Sequence, residues 1–156
     1  MADKRDGGAV SRIGVATEDA VAGIATFDSV MYGETEALSV QASSGGSTHS
    51  AGKPVMVQVG ALTQCTIATQ PGSLQTANVT WPTPFTVRLE DSCGNLDPTA
   101  TDLVTVTAVS GTGSLVGTTT VNAVAGIATF DNVLYCEAET ISVQASSGSL
   151  THAPRN

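Results

Sequence analysis

Apolar and polar side chains alternate with a period of two along most of this chain. In Phe85-Thr86-Val87-Arg88-Leu89-Glu90 the apolar residues share one face and the polar ones the other, the pattern of a half-buried strand. Leu38-Ser39-Val40-Gln41-Ala42 and Ile141-Ser142-Val143-Gln144-Ala145 read the same way. So do Val55, Val57 and Val59, set between Met56 and Gln58, and Val104, Val106 and Ala108, set between Thr105 and Thr107. Turn-forming clusters separate these runs: Gln70-Pro71-Gly72-Ser73, Ser92-Cys93-Gly94-Asn95, Ser110-Gly111-Thr112-Gly113 and Ser146-Ser147-Gly148. Gly, Pro, Asn and Ser supply the dihedrals and local hydrogen bonds that reverse a chain. No segment carries a sustained 3.6-residue apolar stripe. The pattern predicts an all-β protein of antiparallel strands.

A second pattern lies over the first. Twenty-two of the thirty residues in 20–49 recur, in order and without gaps, in 123–152, at a constant offset of 124 − 21 = 103. Residues 21–28 and 124–131 are identical. Such self-similarity marks copies of one module and argues against a site assembled once. Two full copies would need 2 × 103 = 206 residues, and the chain has 156. The expected organisation is one and a half copies: a partial repeat over residues 1–60 and a second repeat over residues 61–156.

Strands spaced by roughly ten to twenty residues, within a period of about 100, match the scale of an immunoglobulin-like sandwich. The longer copy then reads as strand A near 62–69, B at 85–91, C at 102–110, D at 114–121, E at 125–133 and F at 139–146. The shorter copy reads as D near 10–17, E at 22–30, F at 36–43 and G at 53–60. The order of landmarks carries a resemblance: Thr69-Gln70-Pro71, Asp91-Ser92-Cys93-Gly94-Asn95, Leu115-Val116-Gly117-Thr118-Thr119-Thr120, Gly126-Ile127-Ala128-Thr129-Phe130 and Val143-Gln144-Ala145-Ser146-Ser147-Gly148. Together they resemble the immunoglobulin-like repeats of large bacterial surface and adhesin-type proteins, over nearly the whole chain. The resemblance implies a stalk, spacer or fibre module at the cell surface, with no catalytic residues to carry over. The departure is the cut, since the first copy lacks A, B and C and the second lacks G.

A sandwich without its last strand leaves unpaired backbone groups beside an apolar groove. The chain is then either an excerpt of a longer array or a subunit whose sandwich a neighbour completes by strand complementation. The body of the chain lacks the Lys residues that commonly blunt sheet edges, which tips the reading towards completion between subunits. The expected donated strand is Val55, Val57 and Val59.

Composition narrows the partners. Net charge is −8, and Arg88 is the one Lys or Arg between Pro54 and Pro154. Nucleic acid is not an expected partner, and anionic membrane surfaces are disfavoured, since both call for clustered cations. No stretch approaches the ~20 apolar residues of a membrane span, and the opening residues lack the apolar core of a signal peptide. With six aromatic residues in all, the core must be built from Val, Ile, Leu and Ala.

Three cysteines remain. In the sandwich that the resemblance implies, the start of strand A and the B–C turn share one end. Cys65 and Cys93 would then close a loop of 93 − 65 = 28 residues, worth roughly 3–4 kcal/mol in the chain-entropy model. Cys136, near the opposite end, would be left over, as an inter-subunit staple or an unpaired exposed thiol. Its counterpart in the first copy is Gly33, so folding does not need a thiol there.

Other candidates weigh less. His49 and His152 occupy equivalent repeat positions in Ser/Thr-rich turns, where a solvated role is simpler than a general base. Glu90, Asp91, Asn95, Asp97 and Asp102 could offer oxygens to Ca²⁺, but their spacing is not that of a calcium loop, and Asp91 and Asn95 read more simply as turn formers. Trp81, the lone tryptophan, with Pro82 and Pro84 beside it, is read as a cap on the core or a subunit contact. No cofactor is expected, with calcium the weaker reading. The preferred class is a non-catalytic extracellular structural module assembling into a stalk or filament with copies of itself. The alternative is an adhesin-type binding module that contacts a surface glycan or a host protein.

Overall fold

The computed structural model describes residues 12–13, 17–28, 30–48, 52 and 54–151; His49, Lys53 and His152 lie outside that set. Among the described residues there is no helix, and all regular structure is antiparallel β. The chain divides into two compact units, Met1–Val59 and Gly60–Asn156, one residue from the boundary that the repeat suggests.

The first unit is made of two-residue pairings. Strand β1 (Arg12–Ile13) pairs with β2 (Met31–Tyr32), β3 (Ala37–Leu38) with β6 (Val55–Met56), and β4 (Ser43–Ser44) with β5 (Ser47–Thr48). Among the described residues of the expected strand 22–30, none is in a strand. Val21 and Ile24 instead close a tight turn through backbone bonds of 2.9 and 3.1 Å, with positive φ at Ala22 and Gly23.

The second unit holds the core. Its strands are β7 (Leu62–Thr69), β8 (Phe85–Asp91), β9 (Leu103–Ala108), β10 (Leu115–Gly117), β11 (Thr120–Asn122), β12 (Ile127–Phe130), β13 (Val133–Tyr135), β14 (Val143–Ser147) and β15 (Leu150–Thr151). One sheet runs β12-β8-β7 and the other β11-β9-β14-β15, with β10 and β13 forming a short third pairing. Period-two alternation sends Phe85, Val87 and Leu89 inward from β8, where each is fully buried. They meet Ile67 and Cys65 from β7, Ala128 and Phe130 from β12, Val104 and Val106 from β9 and Ala145 from β14. Phe85 stacks on Phe130 at 5.2 Å, and Trp81 tilts against Phe85 at 5.9 Å. Arg88 points to the opposite face, 3.2 Å from Glu90.

The strands at 62–69 and 85–91 fall where the alternation puts them. Two others divide. The single strand expected at 114–121 is β10 plus β11, because the chain turns at Gly117 (φ 97°) and changes partners, from β13 to β9. The strand expected at 125–133 is β12 plus β13, pairing with β8 and then β10. The strand expected at 139–146 begins at Val143. Beyond Gly148 the chain makes one further short pairing, Ser146 with Thr151 and Ser147 with Leu150. The same hairpin recurs 103 residues earlier, as Ser43 with Thr48 and Ser44 with Ser47.

The Cys65–Cys93 disulfide is a correction: all three cysteines are free. Cys65 pairs with Leu89 across β7 and β8 and is fully buried. Its Sγ donates to the Ala145 carbonyl at 3.4 Å, tying one sheet to the other, and burial pushes its pKa up. Cys93 sits in the exposed turn after β8. One thiol faces the core and the other faces water, so they do not meet.

Candidate functional site

The second unit carries a cleft of about 480 Å³. Its apolar wall is Ile67, Trp81, Tyr135, Ile141 and Val143, and its rim is the loop 70–77 together with Glu137 and Glu139. The loop is pinned locally by Gln75, whose Nε2 donates to Gly72 O at 3.0 Å. Residues 78–81 then run beside β13: Asn78 N donates to Tyr135 O at 2.9 Å, Trp81 N to Val133 O at 2.8 Å, and Asn78 Nδ2 to Cys136 O at 3.1 Å. This lattice seats Trp81 against the core at 6% exposure. Its indole Nε1 is buried and has no hydrogen-bond partner, the one such side-chain atom among the described residues. A buried indole N–H ordinarily finds an acceptor.

One end of the cleft is closed by a polar knot. Tyr135 Oη donates to Glu139 Oε1 at 2.5 Å and accepts from Gly113 N at 2.7 Å, while Thr112 N donates to the same Glu139 oxygen at 2.6 Å. The hydrogen bond to Glu139, then burial, raises the Tyr135 pKa; the bond from Tyr135, then that from Thr112, lowers the Glu139 pKa. The phenol therefore keeps its proton and the carboxylate its charge at neutral pH. The first unit repeats the pair, since Tyr32 hydrogen-bonds Glu36, and Tyr32 + 103 is Tyr135 as Glu36 + 103 is Glu139. Neither residue figured as a site in the sequence; their joint retention across the repeat was the signal.

Along the cleft, Thr140, Ile141 and Ser142 lead into β14. Strand β14 pairs with β9 from Val143 to Ser146, and Val109 N extends that side to Ser142 O. On its other side the ladder covers Ser146 and Ser147. Thr140 and Ile141 have no ladder partner among the described residues.

The sequence candidates are distributed otherwise. Val55 belongs to β6 and pairs with Leu38 of its own unit, and Val57 N donates to Glu36 O at 2.9 Å. The strand expected to be donated is thus held within its own chain, with Val55 exposed and Val57 and Val59 half-buried. Cys136 is half-buried, next to the cleft residues Tyr135 and Glu137, and its thiol forms no disulfide. The turn carboxylate is fully engaged: Asp91 accepts from Gly60 N (3.0 Å), Cys93 N (2.9 Å), Asn95 N (3.0 Å) and Asn95 Nδ2 (3.0 Å). Asp97 is likewise taken up by Thr99. Among the described residues no group of three or more His, Cys, Asp and Glu is gathered around one point. Comparison with known proteins finds no matching family model, curated protein or solved structure.

Proposed function

We propose that this chain is a non-catalytic, extracellular structural module of immunoglobulin-like repeats, assembling with copies of itself into a stalk or filament by β-strand complementation. The observation that carries the reading is the unequal burial of equivalent residues. Phe130 and Val133 are 1% and 2% exposed, whereas Phe27 and Val30, the same repeat positions, are 47% and 49% exposed. A side chain kept apolar in both copies but covered in one points to a surface that something else covers. The backbone at Thr140–Ile141, which has no ladder partner among the described residues, supports the same reading from the other unit, because such backbone beside an apolar groove is a template for an incoming strand.

Light scattering and negative-stain microscopy across a concentration series test it. Growth of elongated particles with concentration is expected. A folded, monodisperse monomer at micromolar concentration overturns it, and saturable sugar binding by that monomer favours the adhesin-type alternative.

A further inference from the structure

We infer that the cleft in the second unit is the acceptor slot for the β6 segment, residues 53–59, of a second copy of this chain. The strand enters antiparallel, with Val55 opposite Ile141 and Met56 opposite Thr140. This deepens the complementation reading above and rests on it.

The register comes from the molecule itself. In the first unit Leu38 pairs with Val55 and Ala37 with Met56. The 103-residue offset carries Leu38 to Ile141 and Ala37 to Thr140, and these two have no ladder partner among the described residues. The segment fitted to the first slot is the guest whose register the second slot repeats.

The cleft suits that guest in shape, charge and hydrogen bonding. Its wall of Ile67, Trp81, Ile141 and Val143 matches an alternating strand whose inward residues are Val55, Val57 and Val59. In this register Val57 falls opposite Glu139 and Val59 opposite Glu137, the carboxylates of the cleft, and the guest brings no like charge to them, since the chain from Ala37 to Leu89 holds no acidic residue. The buried Trp81 Nε1 lacks an acceptor, and an entering backbone brings carbonyls to that wall. The guest also has little to lose by leaving home. In its own unit β6 is two residues long, with Val55 49% and Met56 67% exposed.

Trp81, the one tryptophan in the chain, reports on the slot directly. The test adds a synthetic peptide of residues 51–61 to the full chain, diluted below its assembly threshold, and follows Trp81 emission. The account expects a saturable spectral change. It expects at least a tenfold weaker response to a peptide carrying V55K and V57K, and to the chain variant Ile141→Lys. Because the peptide variants leave the chain untouched, the result does not depend on whether Ile141→Lys folds. No change with the native peptide, or an equal change with a scrambled one, overturns the slot. The two proposals separate cleanly. Peptide binding by a chain that never assembles keeps the slot and removes the filament; filaments that persist unaltered in excess peptide keep assembly and remove the slot.

Discussion

At Asp91 a single side chain organises the turn that follows the central strand. Four N–H groups, from Gly60, Cys93 and both nitrogens of Asn95, converge on its two oxygens at 2.9–3.0 Å, and the residue is 6% exposed. Burial pushes its pKa up, but the Asn95 side chain and the three backbone donors outweigh it and hold the pKa at about 2. The unfolded carboxyl titrates near ~4, so between about pH 2 and 4 the unfolded chain binds the extra proton. The contribution of Asp91 is complete above that window and is lost as pH falls through it. Asp91→Ala should cost about 2–3 kcal/mol near neutral pH, since charged hydrogen bonds vanish and donors stay buried. It should also flatten the acid limb of the stability curve, both measured by urea unfolding at several pH values. Little effect on either would mean that the turn holds itself. Asp91 and Asn95 were legible in the sequence as turn formers, because short polar side chains that satisfy local donors have a positional signature. Cys65 was not. Chain spacing says how long a loop two thiols would close but not which face of a strand each occupies, and the inward position opposite Leu89 settled the matter against a disulfide.

Among elements, the strands that alternate over six or more residues were readable end to end, as β7 and β8 demonstrate. Those that change sheets were not. At Gly117 a Cβ would lie 2.1 Å from the Asn132 carbonyl oxygen, so only glycine lets the chain cross from β10 to β11 there. The crossing depends on a neighbour 15 residues away (132 − 117), which local periodicity cannot register. The turns at 21–24 and 124–127 teach the converse. Both copies place Ala at positive φ, 51° at Ala22 and 50° at Ala125, each followed by a glycine at 80° or 78°. Identical residues thus give identical local geometry, whatever packs around them. Left-handed Ala is strained by about 1 kcal/mol, and Asn-Gly is the favoured pair at two such positions. Ala125→Asn, exposed in the structure, should raise stability by about 0.5–1 kcal/mol in a denaturant titration. Gly126→Ala should lower it, since its Cβ would sit 2.2 Å from the Asp97 carbonyl oxygen. A stabilising Gly126→Ala would contradict the packing described.

For the molecule as a whole, the two units share sequence but not circumstance. The first supplies strands of two residues and leaves Phe27 half exposed; the second packs the equivalent Phe130 between β8 and the opposing sheet. The same substitution should therefore have two outcomes. Phe130→Ala should cost about 3–5 kcal/mol, as a large buried side chain does, whereas Phe27→Ala should change stability by less than about 1 kcal/mol. Equal costs would mean that the first unit has a core of its own. Sequence periodicity located the repeat, because identity at a fixed offset needs no tertiary information. It could not tell that β6 would pair at home, or that the backbone at Thr140–Ile141 would border a cleft with a buried, unpartnered indole nitrogen. Those facts arise from contacts between segments far apart in the chain.

The most direct measurement is a cross-link between two differently marked copies. One chain carries Val55→Cys and the other Ile141→Cys, both with Cys93→Ser and Cys136→Ser, mixed under mild oxidation and mapped by mass spectrometry. Directly opposed residues in an antiparallel pair lie about 4.5–5.5 Å apart between Cα atoms, within disulfide range. The account predicts a 55–141 bond joining the two chains, formed in the mixture and suppressed by excess peptide of residues 51–61. Absence of that bond, while Leu38→Cys and Val55→Cys on one chain close readily on each other under the same conditions, would contradict it.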